Sequence, residues 1–231
     1  DIQTQVNASS AGDTVTVPAG TATWSGSLTV NKNISVIGAG TNNTVITCSG
    51  SALSMGTTAA GVCRLSGFSF VGGSGGKGIY VSMSPTNYVR VDHCFFQGFQ
   101  HGFYWFGIGL IDHCTFLNPT FLGFVQCPSP AGNPTSAQQN WVRDHWYPVP
   151  MDTTNALFLE DCTITWTSFN NSDNYVIQSY QAASYIVRYC TINMNVTDSY
   201  QQFWDYHGNQ GNISDPNVPR GSIAIGVYGN T

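Results

Sequence analysis

The chain is poor in charge. Charged residues make up 8% of its 231 residues, about a third of the usual share. A surface so short of charge stays wet through Ser, Thr, Asn, Gln and Gly. Lys and Arg together number seven and the net charge is -5. No basic stripe is available to neutralise phosphates, which argues against a nucleic-acid partner. No apolar run approaches the ~18 residues of a membrane span. No CxxC pair occurs among the seven cysteines, so the usual zinc-ligand spacing is missing. Seven is odd, so one thiol stays free or bridges to another chain. No leader stands at Asp1. A removed leader or an internal segment is expected.

What is present is a repeat. VDHCFF at 91–96 returns as IDHCTF at 111–116, LEDCTI at 159–164 and VRYCTI at 187–192. Weaker copies are LSGFSF at 65–70 and VYGNT at the end. With the cysteine as position zero, the zero residues are Phe68, Cys94, Cys114, Cys162, Cys190 and Asn230, spaced 26, 20, 48, 28 and 40 apart. Position -3 holds Leu65, Val91, Ile111, Leu159, Val187 and Val227, and position +2 holds Phe70, Phe96, Phe116, Ile164 and Ile192. Both columns are wholly apolar. Position -5 (Cys63, Val89, Gly109, Leu157, Tyr185, Ile225) is mostly so. Positions -5 and -3 share a strand face, but parity flips before +2. A bend near zero is therefore required. Strand, bend and strand, repeated every ~20–30 residues, describe one coil of a parallel β-solenoid. The Val, Ile, Phe, Tyr and Thr content and the lack of helical periodicity agree.

With these columns, and with the opening DIQTQVNASSAGDTVTVPAGTATWSGSLTVNKNISVIGAG, the chain resembles the right-handed parallel β-helix proteins, the pectate-lyase-like superfold. The resemblance covers nearly the whole chain. It implies an all-β, single-stranded right-handed parallel β-helix of seven to nine coils in one domain, 1–231, with an N-terminal cap and first coil over 1–40. The fold hosts lyases, hydrolases, phage tailspikes and adhesins, so it does not name an activity. Two long excursions are expected. One covers 118–152 and contains six of the ten prolines; the other covers 195–222. Because the chain ends at +1, an uncapped or partner-capped C-terminus is expected. Cys94, Cys114, Cys162 and Cys190 are expected to form a reduced, buried ladder, with a Cys48–Cys63 bridge open as an alternative.

Position -2 carries Asp92, Asp112, Glu160 and then Arg188. Stacked acids repel unless paired or bridged. Two readings follow: an arginine-paired ladder, or a row of hard oxygen ligands for calcium. In pectate lyases a Trp-Ile-Asp-His motif supplies the calcium-binding Asp. Val91-Asp92-His93 and Ile111-Asp112-His113 are similar to it but lack the Trp. The Arg-x-Pro-x-x-Arg setting of those enzymes' base is missing. His93, His113, Asp161 and Tyr189 stand at the bend, where a polar side chain satisfies local backbone groups.

The excursions carry the richest chemistry. Trp141, Arg143, Asp144, His145 and Trp146, with Trp204 and Tyr206, are candidate sugar-binding residues. Rings offer faces to sugar C–H groups, and acids accept hydroxyls. Asp205, His207 and Asp173, with Asp161 and Arg188, are the candidate catalytic groups for glycoside cleavage. Packing of the aromatics onto the solenoid wall is the structural reading of the same residues. Outward position -4 turns apolar at Leu110, Phe158 and Ile186. That row needs a covering loop or a neighbouring subunit, as in a homotrimer. An extracellular, secreted or virion-surface protein that binds or cleaves a polysaccharide is the leading expectation. A non-catalytic adhesive or structural appendage is the rival. Ice or mineral binding draws only on the threonines at +1 (Thr115, Thr163, Thr191, Thr231).

Overall fold

The computed structural model describes residues 1–56, 61–73, 75–82, 88–126, 156–167, 175–180, 183–194, 202–206 and 224–231. The side chains of Gln126, Tyr175, Val176, Tyr180 and Ser184, and those within 202–206 and 224–226, are not described. One helix, Ile2–Ala8, precedes three parallel sheets of eight, seven and seven strands. Each strand pairs in parallel with the strand three further along the chain. Three strands therefore make one coil. Among the described residues, twenty-two strands make seven coils and the first strand of an eighth. This is the arrangement of a parallel β-solenoid, with the core enclosed between the sheets. No described helix is long and apolar enough to cross a membrane.

The register reproduces the sequence columns. In the first sheet Cys63, Val89, Gly109, Leu157, Tyr185 and Ile225 are successive partners, as are Leu65, Val91, Ile111, Leu159, Val187 and Val227. In the second sheet Phe70, Phe96, Phe116, Ile164 and Ile192 follow one another. Phe70, Phe96 and Phe116 stack at 5.4 and 5.3 Å between ring centroids, inside the core. The glycine in the apolar column has a reason. A Cβ on Gly109 would lie 2.5 Å from Cζ2 of Trp105 and 2.2 Å from the Val89 carbonyl oxygen. Trp105, fully buried, occupies the space a side chain at 109 would fill.

The parity change is a left-handed residue between the first and second sheets. His93, His113, Asp161 and Tyr189 have φ of 51°, 51°, 50° and 58°, and Gly67 and Gly229 take the same place at 79° and 65°. β-Branched residues cannot hold this conformation cheaply, and none stands there. The zero cysteines then turn inward. Cys94, Cys114, Cys162 and Cys190 are buried and free, and their thiols donate to backbone carbonyls, Cys114 to Val91 and Cys162 to Ile111 at 3.6 Å each. Cys48 and Cys63 are also free and buried, so the Cys48–Cys63 bridge does not form. Burial pushes the Cys63 thiol up to about 12, which keeps it protonated and inert.

The helix closes the first coil. Asp1 caps it by accepting from the Gln3 amide at 2.9 Å. The Gln3 side chain bonds both the amide and the carbonyl of Thr29, at 2.8 and 2.9 Å. It thus satisfies the open edge of the third sheet as a neighbouring strand would. Lys32 donates to the carbonyls of Val6, Asn7 and Ser9 at the other helix end, where a cation is favoured.

One expectation changes. The spans 118–152 and 195–222 are not continuous excursions. Phe121–Gln126 and Gln202–Tyr206 are strands of the third sheet, and residues 127–155 and 207–223 lie outside the described residues. The outer apolar row is covered within the single chain. Phe158 and Ile186 are 8% and 2% exposed within the single chain, clustered with Ala156 and flanked by Leu110 and Tyr228. The side chain of Arg188 lies over the Phe158 ring. The row therefore does not require a partner subunit to cover it.

Because Phe96 sits mid-stack, Phe96→Ala removes ring contacts in two directions. It is expected to destabilise the fold by about 3–5 kcal/mol. Urea unfolding checks this: the midpoint should fall while the slope stays unchanged.

Candidate functional site

The acidic row is an arginine-carboxylate ladder on the outside of the first sheet. Arg64 grips Asp92 with both arms, Nε to Oδ1 at 2.6 Å and Nη2 to Oδ2 at 2.7 Å. Arg90 grips Asp112 the same way at 3.0 and 2.9 Å. Arg188 donates from Nε to Glu160 at 2.7 Å and from Nη1 to the Tyr228 hydroxyl at 2.6 Å. Each arginine reaches an acid one coil away, so the ladder ties coils together. Asp92 and Asp112 are buried beneath it. Burial raises the Asp92 carboxyl, but the bonds from Arg64, Ser66 and His93 outweigh it and hold it down at about 2. Such forks are strong and directional. Of the two readings of the row, arginine pairing is the one seen. Among the described residues no group of three His, Cys, Asp or Glu side chains gathers around a metal position.

Beside the ladder, the two bend histidines form a pair. His93 Nδ1 lies 2.9 Å from Asp92 Oδ2, and His113 Nδ1 lies 3.1 Å from Asp112 Oδ2. Their rings are parallel within 3°, with centroids 4.9 Å apart. The side chains are 60% and 53% exposed. They form one wall of a cleft of about 430 Å³, with Thr41, Asn42, Ser69 and Thr115 around it.

A second surface lies on the outer face of the third sheet. Successive partners in one outer column are Ser54, Tyr80, Tyr104, Phe124 and Gln178, and Asp205 is next in backbone register. Tyr80 and Tyr104 lie 5.9 Å apart, and Tyr104 and Phe124 stack at 4.1 Å. Phe106 leans on both Tyr80 and Tyr104 from the next outer column. Tyr80, Tyr104 and Phe106 are half-buried. The Lys77 ammonium lies over the Tyr80 and Tyr104 rings at 4.7 and 4.4 Å, a cation-π arrangement. His101, in register with Lys77, packs against Tyr104 and Phe121. Burial, and then the Lys77 charge, lower its imidazole to about 4, and its Nδ1 is buried without a hydrogen-bond partner. The result is an apolar shelf on the sheet, edged by hydroxyl, ammonium and imidazole groups.

Sequence reading missed this shelf, although a signal was there. Tyr104 and Phe124 each stand ten residues after a repeat cysteine, Cys94 and Cys114. The candidates named from sequence are distributed as follows. Trp204, Asp205 and Tyr206 lie on the strand Gln202–Tyr206, in register with Ile177, Gln178 and Ser179. Asp161 is an exposed bend residue whose amide donates to the Arg188 carbonyl at 3.4 Å. Arg188 is held by Glu160 and Tyr228. Asp161 and Arg188 thus belong to the first sheet and its bend, whereas Asp205 belongs to the third sheet. Trp141, Arg143, Asp144, His145, Trp146, Asp173 and His207 lie outside the described residues. Comparison with known proteins matches no family model and no curated protein.

His101 yields a pH prediction. Its folded value is depressed to about 4 against an ordinary ~6.5 in the unfolded chain. The unfolded state binds the extra proton first as pH falls. The contribution is therefore full above ~6.5 and drains away down to about 4. His101→Phe should flatten the pH dependence of the unfolding midpoint in that window.

Proposed function

We propose that the chain is an extracellular, secreted or virion-surface protein with a right-handed, pectate-lyase-like parallel β-helix, and that it binds a polysaccharide along the outer face of its third sheet. The observation that carries this reading is the half-buried pair Tyr80 and Tyr104, with Phe124 buried against Tyr104 and Gln178 and Asp205 next in register. A polysaccharide is a linear repeat and so is the column. Rings supply apolar contact to sugar C–H groups, and hydroxyl, ammonium and imidazole groups supply polar contact. The shelf combines an apolar contact area with a few polar anchors, the composition that small-ligand sites use. The surface, short of charge and rich in Ser, Thr, Asn, Gln and Gly, suits a glycan-rich setting.

Cleavage is the finer part of the proposal, with Asp205 as the acid closest in register to the shelf. The second reading, a non-catalytic adhesive or structural appendage such as a phage tailspike, draws on the separation of Asp161 and Arg188 from Asp205.

A panel of neutral and acidic polysaccharides tests both. Binding is measured by calorimetry, and products are followed by new reducing ends and by ultraviolet absorbance of unsaturated ends. Tyr104→Ala is expected to weaken binding about ten-fold, or about 1.4 kcal/mol. Unchanged affinity in that variant refutes the shelf. Binding with neither product class selects the appendage.

A further inference from the structure

We infer that His93 and His113 form a two-imidazole site for a borderline transition-metal ion such as Ni²⁺, Cu²⁺ or Zn²⁺, open to the cleft beside them. The left-handed bend does not require imidazoles, since Gly67, Asp161, Tyr189 and Gly229 serve at the same place in other coils. Two adjacent coils carry His there, and both rings make the same bond. Each Nδ1 lies at hydrogen-bond distance from a carboxylate, at 2.9 and 3.1 Å. Each of those carboxylates is fixed by an arginine fork. A carboxylate gripped by both arms of an arginine accepts from its other neighbour too. In the neutral imidazole Nδ1 then carries the proton, and the Nε2 lone pair faces away from the carboxylate. This carboxylate-histidine arrangement is the one that orients metal-binding imidazoles.

The parallel rings, 4.9 Å apart, set the two Nε2 atoms side by side one coil apart. A metal ion sits ~2.0–2.1 Å from each imidazole nitrogen and in the plane of each ring, so the parallel rings close on one ion only by turning toward each other, by roughly 50° each. Exposed side chains have that freedom. Behind the rings, the charges of Asp92 and Asp112 are offset by Arg64 and Arg90. Affinity must then come from nitrogen donors, which selects Ni²⁺, Cu²⁺ and Zn²⁺ over Ca²⁺. No third His, Cys, Asp or Glu completes the set among the described residues. Water fills the remaining positions, and the cleft gives a second ligand room to replace it. This inference is independent of the polysaccharide proposal.

The test uses the full, tag-free chain after chelator treatment and dialysis. NiCl₂ and CaCl₂ are titrated calorimetrically into the wild type, His93→Asn, His113→Asn and the double variant. Asn tolerates the left-handed bend, and circular dichroism checks that each variant folds. The expected result is one Ni²⁺ per chain, at least about ten-fold weaker in each single variant, lost in the double, and no heat with Ca²⁺. In the wild type, sub-stoichiometric Cu²⁺ should broaden the ring proton signals of His93 and His113 before those of the other three histidines. Equal Ni²⁺ affinity in the double variant, no Ni²⁺ binding, or broadening that starts at another histidine overturns the inference.

Discussion

Everything in this molecule depends on parallel pairing of each strand with the strand three further along. Such pairing places like positions of successive coils one above another at about 4.8 Å. A residue type that suits one coil is then tested against its own kind in the next. Inside, this gives the phenylalanine stack of Phe70, Phe96 and Phe116 and the column of buried thiols. Outside, it brings like charges together, Arg64 beside Arg90 and Asp92 beside Asp112. The repulsion is offset because each arginine reaches the acid of the next coil, Arg64 to Asp92 and Arg90 to Asp112. With so few charges available, all three described arginines are spent on this ladder.

The same constraint explains the Asp-His doublets. Asp92 and Asp112 are structural first: buried, doubly gripped and needed to tie coils together. His93 and His113 stand where the backbone turns left-handed, which restricts the residue type without demanding a ring. Masonry accounts for the aspartates and for the bend. It leaves the outward imidazole nitrogens unexplained, and that remainder is where chemistry has room.

Much of the fold was legible in the sequence because a solenoid writes its register as columns. The -5, -3 and +2 columns were read residue for residue, and the parity change announced the bend. The outer surface was less legible. Polar and aromatic residues outside a coil obey no burial rule, so Tyr80, Tyr104 and Phe124 do not declare themselves until the third sheet brings them into one line. Tyr104 and Phe124 stand ten residues after their zero residue but Tyr80 stands 12 after Phe68, and this change of spacing hides the column. The strand Phe121–Gln126 was absorbed into a proline-rich span because Pro119 precedes it. The row Leu110, Phe158 and Ile186 reads as bare in a strand pattern, which carries no information about what covers it.

The account's central claim is that the third sheet's outer face is the binding surface. Amide hydrogen exchange with and without a bound oligosaccharide tests it most directly. The account predicts added protection in the strands Lys77–Ser82 and His101–Phe106, with the first bend unchanged. Protection confined to the first bend and its cleft, with the third sheet unaltered, would contradict it.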